Sequence, residues 1–167
     1  MMLIRGMSEL IIRIGEPSDI PAALELVKEL ALYERALQEV TNSEEAMLAD
    51  GFGAQPAYGL FVAEKNQTIV GIAIHYVRYS TWKGKMLYLE DIVVKENERG
   101  NGIGKLLFEK CCAWAIEQSY AGMVWQVLDW NDPALNFYRK YNAQLDDEWI
   151  NGKLSREELQ KIINSKK

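Results

Sequence analysis

The segment that decides the fold reads Leu87-Tyr88-Leu89-Glu90-Asp91-Ile92-Val93-Val94 and continues, after four residues, as Arg99-Gly100-Asn101-Gly102-Ile103-Gly104-Lys105. The first half has the composition of a β-strand, and the second half is a glycine-rich turn that opens a helix. Glycines leave the backbone accessible to an anion, and the first turn of a helix presents unpaired N–H groups and the positive end of the helix dipole. The segment therefore predicts a phosphate site, with the acidic pair Glu90 and Asp91 beside it. This combination suggests an anionic cofactor that meets a cationic substrate.

Periodicity on either side of this segment predicts a mixed α/β domain. Strands are predicted at 10–14, 58–63, 69–79, 85–95, 122–129 and 143–150, and helices at 19–35, 43–50, 102–119, 133–141 and 155–163. Ser18, Asp132 and Ser155 are the predicted caps of three of these helices. Only the junction with the glycine turn has the strand–helix–strand form that requires parallel pairing. Because no repeat or linker interrupts the pattern, we expect a single domain over 9–164 after an N-terminal extension at 1–8.

Composition and charge narrow the classes of function. The 167 residues are 49% hydrophobic and 26% charged, which fits one well-packed domain. A net charge of −5 argues against a nucleic-acid partner, because such partners usually require a basic face. No apolar run is long enough to predict a membrane span, so no membrane partner is expected. The adjacent Cys111 and Cys112 cannot form an ordinary structural disulfide and lack companion metal ligands, which favours a cytoplasmic protein without a metal site.

Two motifs resemble the GNAT N-acetyltransferase superfamily. The run from Arg99 to Gly104 resembles its acetyl-CoA-binding signature, and Trp130-Asn131-Asp132-Pro133-Ala134-Leu135-Asn136-Phe137-Tyr138 resembles its second signature. Within that superfamily, residues 28–34, 49–53, 82–85 and 87–91 look like the diamine acetyltransferases, which include spermidine/spermine N1-acetyltransferase and its thialysine-acetylating relative. The resemblance implies a mixed, mostly antiparallel central sheet with helices on both faces. It also implies a splayed pair of parallel strands at the acetyl-CoA site, and a homodimer.

The resemblance assigns cofactor contacts. It implies that the pyrophosphate of acetyl-CoA lies on the glycine turn and that the pantetheine arm pairs with the end of the preceding strand. The cofactor-binding residues implied are Ile92, Val93, Val94, Arg99, Gly100, Asn101, Gly102, Ile103, Gly104, Lys105, Asn131, Asp132, Pro133, Ala134 and Tyr138. Tyr138 also matches the family's general acid, which protonates the departing thiolate. On its residue type alone, Tyr138 fits a ring that packs under the sheet better than an acid, and its place in the motif favours the acid.

The acceptor side needs a base, because a primary ammonium has a pKa of about 10.4 and arrives protonated. Glu90 matches a substrate-binding carboxylate of the diamine acetyltransferases and is the predicted proton acceptor, either directly or through water. Tyr33 and Glu34 match further substrate contacts, and Asp91 adds negative potential. The alternative is that Glu90 or Asp91 only faces solvent, since neighbouring residues of a strand point to alternate sides.

Two further features have more than one interpretation. His75 is the only histidine and has the right chemistry for a base, but it lies outside the matched motifs and is predicted to be a packed strand residue. The acidic residues at 146–148 either attract the far ammonium of a polyamine or form an exposed turn.

The sequence predicts an acetyl-CoA-dependent N-acetyltransferase. Its expected acceptor is a small cationic amine, namely a diamine, a polyamine or a thialysine-like amino acid, which attacks directly in a ternary complex. Two alternatives stay open: transfer to a protein or peptide amine, and an acetyl-CoA-binding module without turnover. A nucleotide site of the P-loop type is disfavoured, because the turn lacks the pattern Gly-x-x-x-x-Gly-Lys-Ser/Thr.

Overall fold

The computed structural model describes residues 9–165, which divide into two compact units that meet in sequence between Gln126 and Val127. The N-terminal extension predicted at 1–8 lies outside the described residues. The first unit holds the strands β1 (Leu10–Ile14), β2 (Gly59–Lys65), β3 (Thr68–Ser80), β4 (Gly84–Val94) and β5 (Met123–Trp125). Its helices are α1 (Ile20–Tyr33), α2 (Glu44–Phe52) and α3 (Ile103–Glu117). The predicted order of these elements is confirmed.

The five strands form one sheet in the order β1-β2-β3-β4-β5. All neighbours pair antiparallel except β4 and β5, which pair parallel, as the single strand–helix–strand junction requires. A two-residue turn at Asn66 and Gln67, with φ angles of 50° and 61°, joins β2 to β3. Positive φ at both positions suits the twist of a tight hairpin. The predicted mixed, mostly antiparallel sheet is therefore confirmed.

Helices cover both faces of this sheet, as predicted. One face packs against α1 and α2 through a buried cluster of Ile20, Ala23, Leu24, Leu26, Met47, Leu60, Val62, Ile69, Ile72, Ile74 and Val93. The other face packs against α3, where Trp114 meets Phe61 edge-on at a ring-centroid distance of 5.9 Å and Phe108 meets Trp125 at 5.6 Å. Side chains alternate along each strand, so each face receives every second residue.

A β-bulge interrupts this alternation in β4. Ile74 of β3 lies opposite Asp91, but the next residue, His75, lies opposite Leu89. Glu90 is therefore the extra residue that has no partner across the ladder. Because Tyr88 pairs with Tyr76 and Asp91 pairs with Ile74, the residues on both sides of the bulge belong to the face that α1 covers. Placement of Glu90 and Asp91 on alternate sides of the strand, which ordinary strand geometry predicts, is thus wrong, because the inserted residue shifts the phase by one position.

The parallel pair of strands separates after a short contact. Leu87 pairs with Met123, Tyr88 with Val124 and Leu89 with Trp125. Beyond Leu89, β4 continues to Val94 while β5 has already ended, so β5 is shorter than the strand predicted at 122–129. The predicted splayed pair of parallel strands is confirmed, and the edge of β4 from Glu90 to Val94 has no partner in β5.

The second unit contains two helices, α4 (Asp132–Arg139) and α5 (Arg156–Asn164). The predicted strand at 143–150 is wrong, because these residues have no regular secondary structure and nearly all of them are exposed. Acidic side chains are unfavourable in strands, and the Glu148 amide donates a local hydrogen bond to Asp146 Oδ1 at 2.9 Å. The acidic residues at 146–148 thus form an exposed turn.

Two of the three predicted helix caps are wrong. Ser18 lies inside the short 3-10 turn Pro17–Asp19, and α1 begins only at Ile20. Asp132 is already helical, and Asn131 is the cap instead, since its Oδ1 accepts a hydrogen bond from the Ala134 amide at 3.3 Å. Ser155 is confirmed, and it forms a capping box with Glu158. Within residues 9–165, no helix has the length and apolar character needed to cross a membrane.

Candidate active site

The glycine turn connects the end of β4 to the start of α3. Gly100 and Gly102 have φ angles of 79° and 78°, a left-handed conformation that only glycine adopts without strain. A Cβ atom built on either residue would meet no heavy atom within 4 Å, so the space next to both backbones is open. At Gly104 an added Cβ would lie at an ordinary contact distance of 3.8 Å from Val94 Cγ2. Backbone shape therefore requires the first two glycines but not the third.

The N-terminus of α3 is suited to an anion. The cap residue Gly102 offers no side chain, and the first turn contains no acidic residue. Leu106 is the first residue whose amide bonds back within the helix, to the Gly102 carbonyl at 3.1 Å, so the amides before it point out of the helix end. The turn is held by its own side chains, as Asn101 Nδ2 donates to the Glu98 carbonyl at 3.2 Å. These residues fit a bound pyrophosphate.

Arg99 links this turn to the end of α1. Its Nε donates to the Val94 carbonyl at 3.0 Å, and its Cζ lies 5.7 Å from the centroid of the Tyr33 ring. A guanidinium at this distance from an aromatic ring forms a cation–π contact. The structure thus brings together two predicted groups, the cofactor turn and the acceptor residues Tyr33 and Glu34.

Three carboxylates lie near one another on the α1 face of the sheet: Glu34 at the end of α1, and Glu90 and Asp91 at the bulge. Burial, and then the charges of Glu90 and Glu34, raise the pKa of Asp91 to about 6. Burial also raises the pKa of Glu34. None of the three forms an ion pair with any described residue. A cationic ligand would stabilise this cluster.

Sequence reasoning missed the side chains that flank the cluster. Tyr76 lies beside Glu90, and burial, followed by the effect of this carboxylate, raises the pKa of Tyr76 to about 12. The Tyr76 ring stacks on Tyr88 at 5.0 Å, and the Tyr88 hydroxyl donates to Gln126 Oε1 at 2.9 Å. Arg78 lies against the Tyr88 ring, with its Cζ 5.8 Å from the ring centroid. The sequence contained one indication of these side chains, because Tyr76 and Arg78 are two residues apart on β3 and so share a face. The register between β3 and β4 was needed to place them beside Tyr88 and Glu90.

His75 packs against the opposite face of the sheet. It is buried and stacks on Phe61 at a centroid distance of 4.6 Å. Burial lowers the pKa of His75 to about 4, so the imidazole is neutral at physiological pH. The prediction of a packed strand residue is confirmed. Among residues 9–165, no group of three or more His, Cys, Asp or Glu side chains is placed to hold a metal ion.

The remaining predicted site residues belong to the second unit and start its helix α4. Asn131 uses its side chain as the helix cap, while Asp132 and Pro133 are exposed and Ala134 is half-buried. Tyr138 is buried, and its ring meets Phe137 at 5.3 Å. Its role as an acid stays a prediction.

Comparison with known proteins gives consistent results. Residues 24–143 match the model of the acetyltransferase (GNAT) family. The thialysine N-epsilon-acetyltransferase of Bos taurus is 40% identical over 146 residues, which cover 83% of this chain and 86% of that protein.

Solved structures share the fold at low identity. An integron cassette protein from the mobile metagenome of V. cholerae has a TM-score of 0.75 at 21% identity, covering 95% of this chain and 99% of that one. An aminoglycoside N-acetyltransferase in complex with CoA has a TM-score of 0.74 at 19% identity, covering 91% of this chain and 99% of that one.

Proposed function

Because this chain belongs to the acetyltransferase (GNAT) family and is an N-acetyltransferase, we propose that it moves the acetyl group of acetyl-CoA to a primary amine of a small cationic acceptor. We propose that the amine attacks the thioester directly while both substrates are bound. The observation that carries this proposal is the bulge in β4, which brings Glu90 and Asp91 to one face near Glu34, where none of the three forms an ion pair with a described residue. The relative from Bos taurus, named for thialysine, supports a small amine as the acceptor.

The carboxylate cluster suits both binding and deprotonation of an ammonium group. Glu90 is exposed and lies beside Tyr76, so it can pair with the incoming ammonium. We assign proton acceptance to Glu90, directly or through water, with Asp91 beside it. The pKa of Asp91, about 6, is close to the value that suits a base at neutral pH. The freed amine nitrogen then bonds to the acetyl carbon as the carbon–sulfur bond breaks.

The glycine turn suits the phosphates of acetyl-CoA, which supplies the activated thioester. We assign the pyrophosphate to the backbone from Gly100 to Lys105 and to Arg99. The free edge of β4 at Ile92, Val93 and Val94 has backbone groups that β5 does not use, which supports pairing with the pantetheine arm.

Tyr138 is the proposed acid that returns a proton to the thiolate. The support is its place in the motif that runs from Trp130 to Tyr138, together with Asn131 as a proposed cofactor contact. A phenol has a pKa near that of a thiol, about 10 against about 8.5, so it can donate as the thiolate forms. Substitution of Tyr138 by Phe is expected to lower kcat much more than acetyl-CoA affinity.

The proposal is tested by CoA release from acetyl-CoA with purified protein. The acceptors are lysine, cadaverine, spermidine and a peptide with a free N-terminus, each compared with a reaction that lacks an acceptor. We expect release with at least one small amine and a large loss in the Glu90→Gln variant. Glu117→Gln, an exposed carboxylate at the end of α3, is the matched control.

The outcomes separate the alternatives. Release with the peptide alone would replace the small acceptor with a protein substrate. Tight binding of acetyl-CoA without acceptor-dependent release from any amine would identify a binding module. Equal losses in Glu90→Gln and Glu117→Gln would remove Glu90 from the mechanism.

We also propose a homodimer and a cytoplasmic location. The first rests on the diamine acetyltransferase resemblance and is measured by light scattering on the purified chain. The second rests on the free thiols of Cys111 and Cys112, which suit a reducing compartment.

A further inference from the structure

We infer that Arg78 binds a carboxylate of the acceptor, so that the preferred acceptor is an amino acid with a side-chain amine rather than a diamine or a polyamine. This inference rests on the proposed function, because it names the acceptor of the same site. It makes Arg78 a residue that determines specificity.

The first observation is a continuous row of contacts on one face of β3 and β4. Arg78 lies over Tyr88, Tyr88 stacks on Tyr76, and Tyr76 lies beside Glu90, whose charge contributes to its raised pKa. Positions 76 and 78 are two residues apart on β3, and Tyr76 pairs with Tyr88, so these side chains share a face. The row therefore has a positive group at one end, aromatic rings in the middle and negative groups at the other end.

The second observation is that Arg78 has a charge without a counterion. It is exposed, and among the described residues it forms neither an ion pair nor a hydrogen bond. Its guanidinium rests on the face of the Tyr88 ring, which leaves the donors of the fork available. Such a fork matches the two oxygens of a carboxylate.

The backbone spacing of Arg78 and Glu90 is compatible with an amino acid of the length of lysine bound between them. Its carboxylate and terminal amine lie roughly 7 Å apart when extended, since C–C bonds are about 1.5 Å long. A charge-assisted hydrogen bond of about 2.8 Å at each end extends the required span to roughly 12 Å. Glu90 lies opposite Ile74 and His75, three to four residues along β3 from Arg78, so the two backbones are about 10 to 14 Å apart along the strands, a span that the two long side chains can adjust.

The same charges disfavour a polyamine. A diamine bound at Glu90 and Asp91 would bring its second ammonium toward the guanidinium of Arg78, and like charges at close range reduce affinity. An amino acid instead brings a carboxylate there. The Arg78 side chain thus favours an amino acid as the acceptor and disfavours a diamine or a polyamine.

The test compares lysine with lysinamide and with cadaverine as acceptors. Lysinamide keeps the side-chain amine and the length of lysine but has an amide in place of the carboxylate. Cadaverine has neither a carboxylate nor an amide at that position. We expect wild-type kcat/KM for lysine to exceed both by about ten- to hundredfold, the usual range for a hydrogen bond to a charged group. In Arg78→Met the difference should vanish through a higher KM for lysine, with kcat and the KM for acetyl-CoA unchanged.

The matched control is Lys85→Met, which removes a positive charge from the same hairpin but on the opposite face. Lys85→Met should keep the wild-type preference for lysine over cadaverine. Arg78→Glu should reverse this preference. Equal use of lysine and lysinamide by the wild-type protein, or an unchanged preference in Arg78→Met, would overturn this inference and leave the proposed function intact. Absence of CoA release with these three amines would overturn this inference, and absence of release with spermidine as well would overturn the proposed function.

Discussion

Two acidic sites on the first unit have opposite electrostatic character. At the start of α1, Asp19 is buried and its carboxylate accepts two hydrogen bonds from Arg13, at 2.7 and 2.9 Å. Burial alone would raise the pKa of Asp19, but the bonds from Arg13 and from the Glu16 amide bring it below its ordinary value. At the bulge, burial and then the charges of Glu90 and Glu34 raise the pKa of Asp91, and no cation among residues 9–165 forms an ion pair with it.

The difference separates a stabilising site from a binding site. The Arg13 cluster is complete, since Arg13 also donates to Glu64 at 2.8 Å and ties β1 to β2 and to the start of α1. Within the part of the chain that the structure describes, Asp91, Glu90 and Glu34 form no ion pair, and holding like charges together lowers the stability of the chain. Perturbed carboxylates without a protein partner are typical of functional sites. We therefore expect substitutions at the two sites to affect different properties.

The largest expected effect is on catalysis. Asp91→Asn should lower kcat/KM for the amine by about a hundredfold or more, because it removes negative charge and proton-accepting capacity next to the attacking nitrogen. The measurement is CoA release over a range of amine concentrations and pH. Asp19→Asn is the control, and below its melting temperature it should keep the wild-type kcat/KM. A similar loss in both variants would show that the two sites do not differ in function.

The second effect is on stability. Asp19→Asn should lower the free energy of unfolding by about 3 kcal/mol, because it leaves the Arg13 guanidinium without its main partner in a partly buried site. Denaturant unfolding measures this change. Asp91→Asn should not be destabilising in the same experiment, and a loss at Asp91 equal to that at Asp19 would contradict the comparison.

The third effect is a pH dependence of stability that has opposite signs at Asp91 and Asp19. The folded state binds more protons at Asp91 than the unfolded state between pH 3.8 and about 6, so this group reduces stability as pH rises through that window. The difference in the free energy of unfolding between Asp91→Asn and the wild type should therefore grow by about 2 kcal/mol in favour of the variant as pH rises from about 4 to about 7, allowing for solvent screening. Asp19 behaves in the opposite way, since its contribution is present above its ordinary pKa and is lost as pH falls. Thermal unfolding at several pH values distinguishes the two.

Most of the fold could be predicted from the sequence, because apolar periodicity and the glycine turn specify the strands and helices of the first unit. The strand expected at 143–150 failed because its few apolar residues do not outweigh an acidic, unpaired segment. The cap at Asp132 failed because the neighbouring Asn131, of equal capping ability, is better placed. The cap at Ser18 failed because a 3-10 turn, in which Asp19 accepts a hydrogen bond from the Glu16 amide, precedes α1.

The candidate site was predicted less completely. Glu90 and Asp91 were identified from the motif, but their shared face depends on the bulge. A signal existed in the sequence, since the residues that face α3 are Leu87 and Leu89 and then Ile92 and Val94, an interval of three where a regular strand has two. The contribution of Arg78 could not be predicted, because it depends on the register between β3 and β4.

The smallest effects concern two carboxylates that act on these sites from farther away along the chain. They are Glu34, whose charge acts on Asp91, and Glu64, which pairs with Arg13. Glu34→Gln removes a charge that raises the pKa of Asp91, so the acidic limb of the pH–rate profile should shift to lower pH by a few tenths of a unit, with little change in stability. Glu64→Gln removes a partner of Arg13 and should cost about 1 kcal/mol of stability without moving the profile. A shifted profile in Glu64→Gln, or none in Glu34→Gln, would mean that Asp91 does not control the acidic limb. The base would then be Glu90 alone, and the bulge would serve only to bring a second negative charge to the ammonium.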